Sequence, residues 1–318
     1  MSLIDPQGRA AVPVVEGRVA AAKQARNPRR SRVSHFDTAL GWRAGDPKSV
    51  VLRLALSLLL MYIFAGPILT IISGAFDLNS DPTRLTFFPT NPSLRNFEVA
   101  FDRGAWGFFV NSVVIAAGGL LLQIIVAVTA GYALARRKFR GQAVVLALFL
   151  ATMMLPEEVV AVPLAVVLGD LPLVGVNLRG TTLAVILPVA ASAFSILVMA
   201  AFMRDLPDEI EEAARIDGAG ELRMLLQIVL PLCRPAIGVV AIFGFIGIWD
   251  QYLLPIVVAN STSDYTITVA LASLRADVQV GTGVLLAAAF LALVPSLIVY
   301  LCLQRSLVAG ITTGAVKG

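Results

Sequence analysis

Residues 204–235 read RDLPDEIEEAARIDGAGELRMLLQIVLPLCRP, a charged, helix-prone stretch set between hydrophobic runs. Asp205 can cap a helix that begins near Pro207, and Asp208 and Glu209 suit the positive end of its dipole. Leu206, Ile210, Ala213 and Ala214 fall at helical spacing and make one shallow apolar stripe. Glu211 and Arg215 stand four apart, in the favourable order for a surface ion pair. Gly218 and Gly220 supply a stop and a turn. A second amphipathic piece follows, with Leu222, Leu225, Leu226 and Val229 on its apolar side, until Pro231 and Pro235 break it. The expected local structure is helix, glycine turn, helix, lying at a membrane face.

The surrounding composition sets that membrane. The chain of 318 residues is 58% hydrophobic and only 14% charged, whereas a soluble domain is roughly half apolar and about a quarter charged. Mean hydropathy is +0.83. Six nearly uncharged runs are long enough to cross a bilayer: about Val50–Ile72, broken at Gly66-Pro67, then Phe108–Leu134, Gln142–Leu168, Thr181–Phe202, Ala236–Val258 and Thr282–Leu303. Each span must satisfy its backbone internally, so the fold class is all-α, a polytopic bundle of six transmembrane helices.

Charge orients the bundle. Residues 1–48 form a polar arm with nine basic residues, among them Arg26, Arg29, Arg30 and Arg32, and Arg136, Arg137, Lys138 and Arg140 crowd the loop after the second span. Both, with the 204–235 stretch and the tail at 306–318, fall on one side, which places both termini in the cytoplasm. The arm reads as disordered and as a topology signal. Basic residues beside spans point to anionic lipid headgroups and not to nucleic acid.

Several chemistries drop out. His35, the only histidine, lies in the polar arm, so a histidine triad or proton relay inside the membrane is excluded. Cys233 and Cys302 show no disulfide framework, and no metal-ligand spacing is present. No lysine ends a Gly-Lys-Ser/Thr phosphate loop, so the chain does not itself bind ATP in that way.

Glu212-Ala213-Ala214, then three residues, Gly218, then nine residues and Ile228-Val229-Leu230-Pro231 fill every fixed position of a known loop. The chain thereby resembles the permeases of bacterial ABC importers. From about Asn91 onward it is similar to the carbohydrate-uptake branch, that of the maltose-system G subunit. Asn111-Ser112-Val113, Met154-Leu155-Pro156, Phe245-Ile246-Gly247-Ile248-Trp249 and the tail after Gln304-Arg305 carry that likeness. The resemblance implies that residues 204–235 hold a coupling helix, with Ile210, Glu212, Ala213, Ala214, Arg215 and Gly218 docking on an ATPase. It implies four kinds of partner: a second permease, two ATPase subunits that carry ATP and Mg, an extracytoplasmic substrate-binding protein, and membrane lipid. It implies a multi-pass protein of the bacterial inner membrane whose tail reaches the ATPases. The chain is then a transport subunit and not an enzyme, with no cofactor of its own.

The substrate stays open at this level: sugar or polyol, with glycerol-phosphate import as an alternative, and an ion-coupled secondary transporter as the competing class. Glu157 and Glu158 in the third span and Trp249, Asp250, Gln251 and Tyr252 in the fifth are the candidate pathway residues. At 1.5 Å per residue both groups lie about 20 Å from the cytoplasmic face. Buried acids and amides suit sugar hydroxyls, and the rings of Trp249 or Tyr252 suit stacking. The same acids also fit a broken span end facing water, with Asp250 paired to the neighbouring permease. Asp250 stands where that family usually has an amide, which leaves the substrate itself unassigned.

Overall fold

The computed structural model describes residues 47–81, 87–172, 175–277 and 279–315. Their architecture is all-α, with one isolated bridge between Asp77 and Pro92. The contacts divide the chain after Phe64 into two units. The described part of the first is the start of helix α1 (Pro47–Ala75), whose range crosses the division. The remaining helices belong to the second: α2 (Arg95–Asp102), α3 (Ala105–Arg136), α4 (Gln142–Met154), α5 (Glu157–Gly169), α6 (Leu183–Ala190), α7 (Ala193–Arg204), α8 (Asp208–Ile216), α9 (Glu221–Leu232), α10 (Arg234–Trp249), α11 (Leu253–Val258), α12 (Ile267–Ala276) and α13 (Thr282–Ala315). The basic arm falls, up to residue 46, outside the described residues, as do the last three residues of the tail.

Among the described residues, four helical stretches are long and apolar enough to cross a membrane: Val50–Ala75, α3, Leu183–Arg204 and Thr282–Gln304. Two bent pairs, α4 with α5 and α9 with α10, bring the number to six if each is one span. Prolines account for the first of these bends and for a further break after α10. Pro156 has no N–H to give and forces Leu155 into extended backbone (φ −82°, ψ 125°), so α5 leaves α4 at 110°. Pro255 disfavours helix four residues earlier, at Gln251, and the fifth span is interrupted between Trp249 and Leu253. Two sequence expectations change here. Gly66-Pro67 does not break α1, which runs unbroken to Ala75, Thr70 Oγ1 donating to Gly66 O at 2.9 Å. The last helix does not stop near Leu303 but continues to Ala315, through most of the expected tail.

Helix α3 is the centre. It packs against α6, α7, α10 and α12, and small residues permit the approach. A Cβ on Gly131 would lie 2.8 Å from Met199 Cβ and 3.1 Å from the Ala200 nitrogen, so α3 and α7 touch backbone to backbone. Around that contact Ala127, Val128, Ile196, Met203, Met224, Val229 and Val240 form the main buried cluster. Gln123 is a buried polar residue at the middle of α3, and it donates to Ser195 Oγ at 2.5 Å.

The segment between α1 and α2 is tied by Asp77, which is 2% exposed. Its carboxylate accepts from the Thr90 N–H (2.6 Å), Thr90 Oγ1 (2.8 Å), the Asn79 N–H (3.0 Å) and the Asn91 N–H (3.3 Å). These donors, the Thr90 N–H first, hold the carboxyl below its ordinary range. Asn96 completes the tie with Nδ2 on the carbonyls of Ala75 and Asp77.

Candidate functional site

Helix α8 begins at Asp208 with Pro207 as its N-cap, two residues beyond the Asp205 cap that the sequence suggests; Asp205 closes α7 instead. Asp208, Glu209 and Glu211 fill its first turn. The helix ends where Gly218 takes φ +79°, and the Ala219 N–H bonds the Ala214 carbonyl at 2.9 Å. Glu212, Ala213, Arg215 and Ile216 are exposed on one side, with Ile216 at 87%. Glu211 and Ala214 are buried on the other, and Ile210 is half-buried. The expected pair forms, Arg215 to Glu211 at 3.3 Å.

Helix α9 turns differently from the expectation. Leu225 and Val229 face the core as the sequence suggests, but Leu222 and Leu226 are exposed, and Met224 is buried in their stead. A π-helical stretch at Met224–Val229 causes this, because an extra residue in the turn rotates the apolar stripe. A bend of 78° at Cys233 then starts α10.

What the sequence alone did not bring together is the end of α3. Arg136, with a side chain 6% exposed, reaches α8: its Nη1 meets Asp208 Oδ1, and its Nη2 donates to Leu206 O at 2.6 Å. Its Nε faces Glu211 Oε1 at 3.1 Å as an ion pair, out of hydrogen-bonding line. Arg137 reaches past the glycine turn to Glu221, and Tyr132 donates its OH to the same carboxylate at 3.2 Å. The spent carbonyl of Leu134 accepts from Gln142 Nε2 (2.7 Å) and Arg204 Nη2 (3.2 Å). Thus two of the four residues that read as an orientation signal are structural ties. A spacing signal was available: adjacent arginines closing a span, followed by acids at 208, 211 and 221.

The second group of candidates meets in a cleft of about 510 Å³ lined by Glu157, Glu158, Gly247, Asp250, Gln251, Tyr252 and Leu253. The start of α5 brings the two glutamates, and the interruption between α10 and α11 brings the rest. Gln251 Nε2 donates to Glu157 Oε1 at 2.8 Å, while Gln251 Oε1 is buried without a partner among the described residues. Tyr252 is 37% exposed and available for stacking. Trp249 is placed elsewhere: 4% exposed, stacked on Phe245 at 5.4 Å, its Nε1 donating to Ala292 O at 3.1 Å. It packs the wall and does not line the cleft.

Residues 123–312, which include α8, the Gly218 turn and this cleft, match the family of binding-protein-dependent transport system inner membrane components. The chain belongs to this family. As a permease component it is a membrane transport subunit and not an enzyme. It is 32% identical to the arabinooligosaccharides transport system permease protein AraQ of Halalkalibacterium halodurans, over 81% of this chain and 92% of that one. It is 30% identical to the melibiose/raffinose/stachyose import permease protein MelC of Bacillus subtilis, over 87% of this chain and all of that one. In fold, the permease resembles a bacterial ABC transporter involved in the import of the acidic polysaccharide alginate, with TM-score 0.70 and 21% identity over 86% of this chain and 98% of that one.

Proposed function

We propose that this permease is one of a pair in an ATP-driven importer of sugars or short oligosaccharides. One observation carries the reading: α8 presents Glu212, Ala213, Arg215 and the apolar tip Ile216 to solvent while its opposite side is buried. A helix held from behind with a mixed charged and apolar face in front is built to be docked upon. Its occupant is an ATPase subunit, one per permease, with ATP and Mg held there. Ile210, Ala214 and Gly218 shape the helix, and Glu212, Ala213 and Arg215 meet the partner. In this reading each bent pair is one span, giving six, the basic loops support cytoplasmic termini, and an extracytoplasmic binding protein delivers substrate.

The sugar assignment rests on the relatives' stated substrates and on the cleft. Glu157, Glu158, Asp250, Gln251 and Tyr252 offer acceptors, an amide and a ring at one place, the set that neutral polyhydroxy compounds need. A phosphate substrate would meet three carboxylates there and no cation among the lining residues.

The test is a detergent pull-down of the tagged chain expressed with its chromosomal neighbours, followed by mass spectrometry. A second permease and an ATPase are expected to come with it, and the copurifying binding protein is then screened against sugars. Recovery of the chain alone, transporting in liposomes without ATP, would overturn the reading.

A further inference from the structure

An ATPase that moves α8 must move the spans, and the covalent path is poorly suited to that. Before α8 lies the irregular turn at Asp205–Pro207; after it come the Gly218 turn, the π-helical stretch and the 78° bend at Cys233. Each of these can absorb displacement locally. Helix α3 offers a stiffer route. It is 32 residues long with no proline inside, about 48 Å at 1.5 Å per residue. At one end Arg136 seizes α8 through Asp208, Glu211 and the Leu206 carbonyl, and Arg137 with Tyr132 seizes the start of α9 through Glu221. At the other end Asn111 Nδ2 donates to Ser263 O (2.8 Å) and Tyr265 O (3.1 Å), and Ser112 Oγ accepts from the Ile267 N–H at 2.8 Å. The rod is polar-bonded at both ends and packed by small residues between them.

We propose that α3 is a two-ended lever: Arg136 and Arg137 are positioning residues that take up the motion of the docking helix, and Asn111 delivers it to the 260–265 loop on the opposite side of the membrane. The proposal rests on the reading of α8 as the ATPase-docking helix. Arg136 also pairs with Asp208 and Glu211 with Arg215, so removing one alone leaves part of the tie in place; removing both replaces the nearly buried pair by an apolar contact.

The experiment uses the complete transporter in nanodiscs, with Cys302→Ser and a fluorophore on Thr262→Cys in the far loop. The spectral response to ATP-vanadate is read per nucleotide trapped. The background protein is expected to respond. Arg136→Met/Glu211→Met is expected to lose about tenfold of that response, and Asn111→Ala, which cuts the far end only, to lose as much. Arg137→Gln is expected to fall between. Full response in the double variant or in Asn111→Ala would overturn the lever, and so would failure of the double variant to assemble with the ATPases, since that would make the pair a folding element. A background protein that traps nucleotide without any response also overturns it. One that brings no ATPase at all defeats the docking-helix reading itself, a result seen before any variant is made.

Discussion

Gly218 stands at φ +79° with open space around it, so the demand there is on backbone conformation and not on room. A β-branched residue strains that turn and displaces the docking face. Gly218→Val is expected to lower binding-protein-stimulated ATP hydrolysis at least about tenfold while the permease still inserts, whereas Gly220→Ala, with no positive φ and nothing nearby, leaves it within about twofold. Glu212→Lys reverses charge on the exposed side and is expected to produce the same loss by spoiling docking; normal stimulated hydrolysis in both Gly218→Val and Glu212→Lys would remove α8 from the coupling role. Asp77 makes the pH prediction. Its folded carboxyl titrates below the ordinary 3.8, chiefly through the Thr90 N–H. The stabilisation is therefore complete above the ordinary value and lost as pH falls through the folded one. Thermal melting of the detergent-purified protein is expected to drop on acidification below about pH 4, more steeply than in Asp77→Ala, which lacks the group. At this scale the loop motif was legible because its residues are fixed by spacing, and Trp249 was misplaced because hydrophobic periodicity does not say which face of a span meets a cleft. Asp77 is legible in the sequence only as the start of an Asp-x-Asn turn, because its bonds to Thr90 and Asn91 are not local.

Among the elements, the interface of α3 and α7 is the tightest. Gly131→Leu pushes a side chain into the Met199 and Ala200 backbone, an overpacking that costs roughly 1–3 kcal/mol. A lower melting temperature and reduced yield are expected, with Gly107→Ala as the silent control because nothing lies within 4 Å of it. An unchanged melting curve for Gly131→Leu would mean that the two helices can part at no cost. Spans were legible here as apolar runs, and the prolines were visible too. What composition does not encode is how sharply a helix turns at a proline: Pro67 is carried within α1, while Pro156 produces a 110° bend. The π-helical stretch in α9 was likewise illegible, since a one-residue change of phase moves the apolar stripe from Leu222 and Leu226 to Met224 without altering any residue type.

For the whole transporter, the cleft predicts a division of effects. Glu157→Gln removes a charge but keeps the bond geometry to Gln251, whereas Gln251→Leu removes the amide and its orphan oxygen together. Uptake of a sugar identified through the binding protein is expected to show raised KM in both, larger in Gln251→Leu by about 1–2 kcal/mol of lost hydrogen bonding, with nucleotide-driven responses intact. Unaltered KM would assign substrate contact to the other permease. A last consequence follows from α4, in which no residue is buried although it forms half of a bent span. Where only lipid touches such a helix, any apolar side chain serves and only charges are excluded. Positions there that refuse apolar replacement in a saturation mutagenesis screen would therefore trace the footprint of the subunit that lies against them, so that a growth assay on this one gene would chart a contact surface that belongs to another.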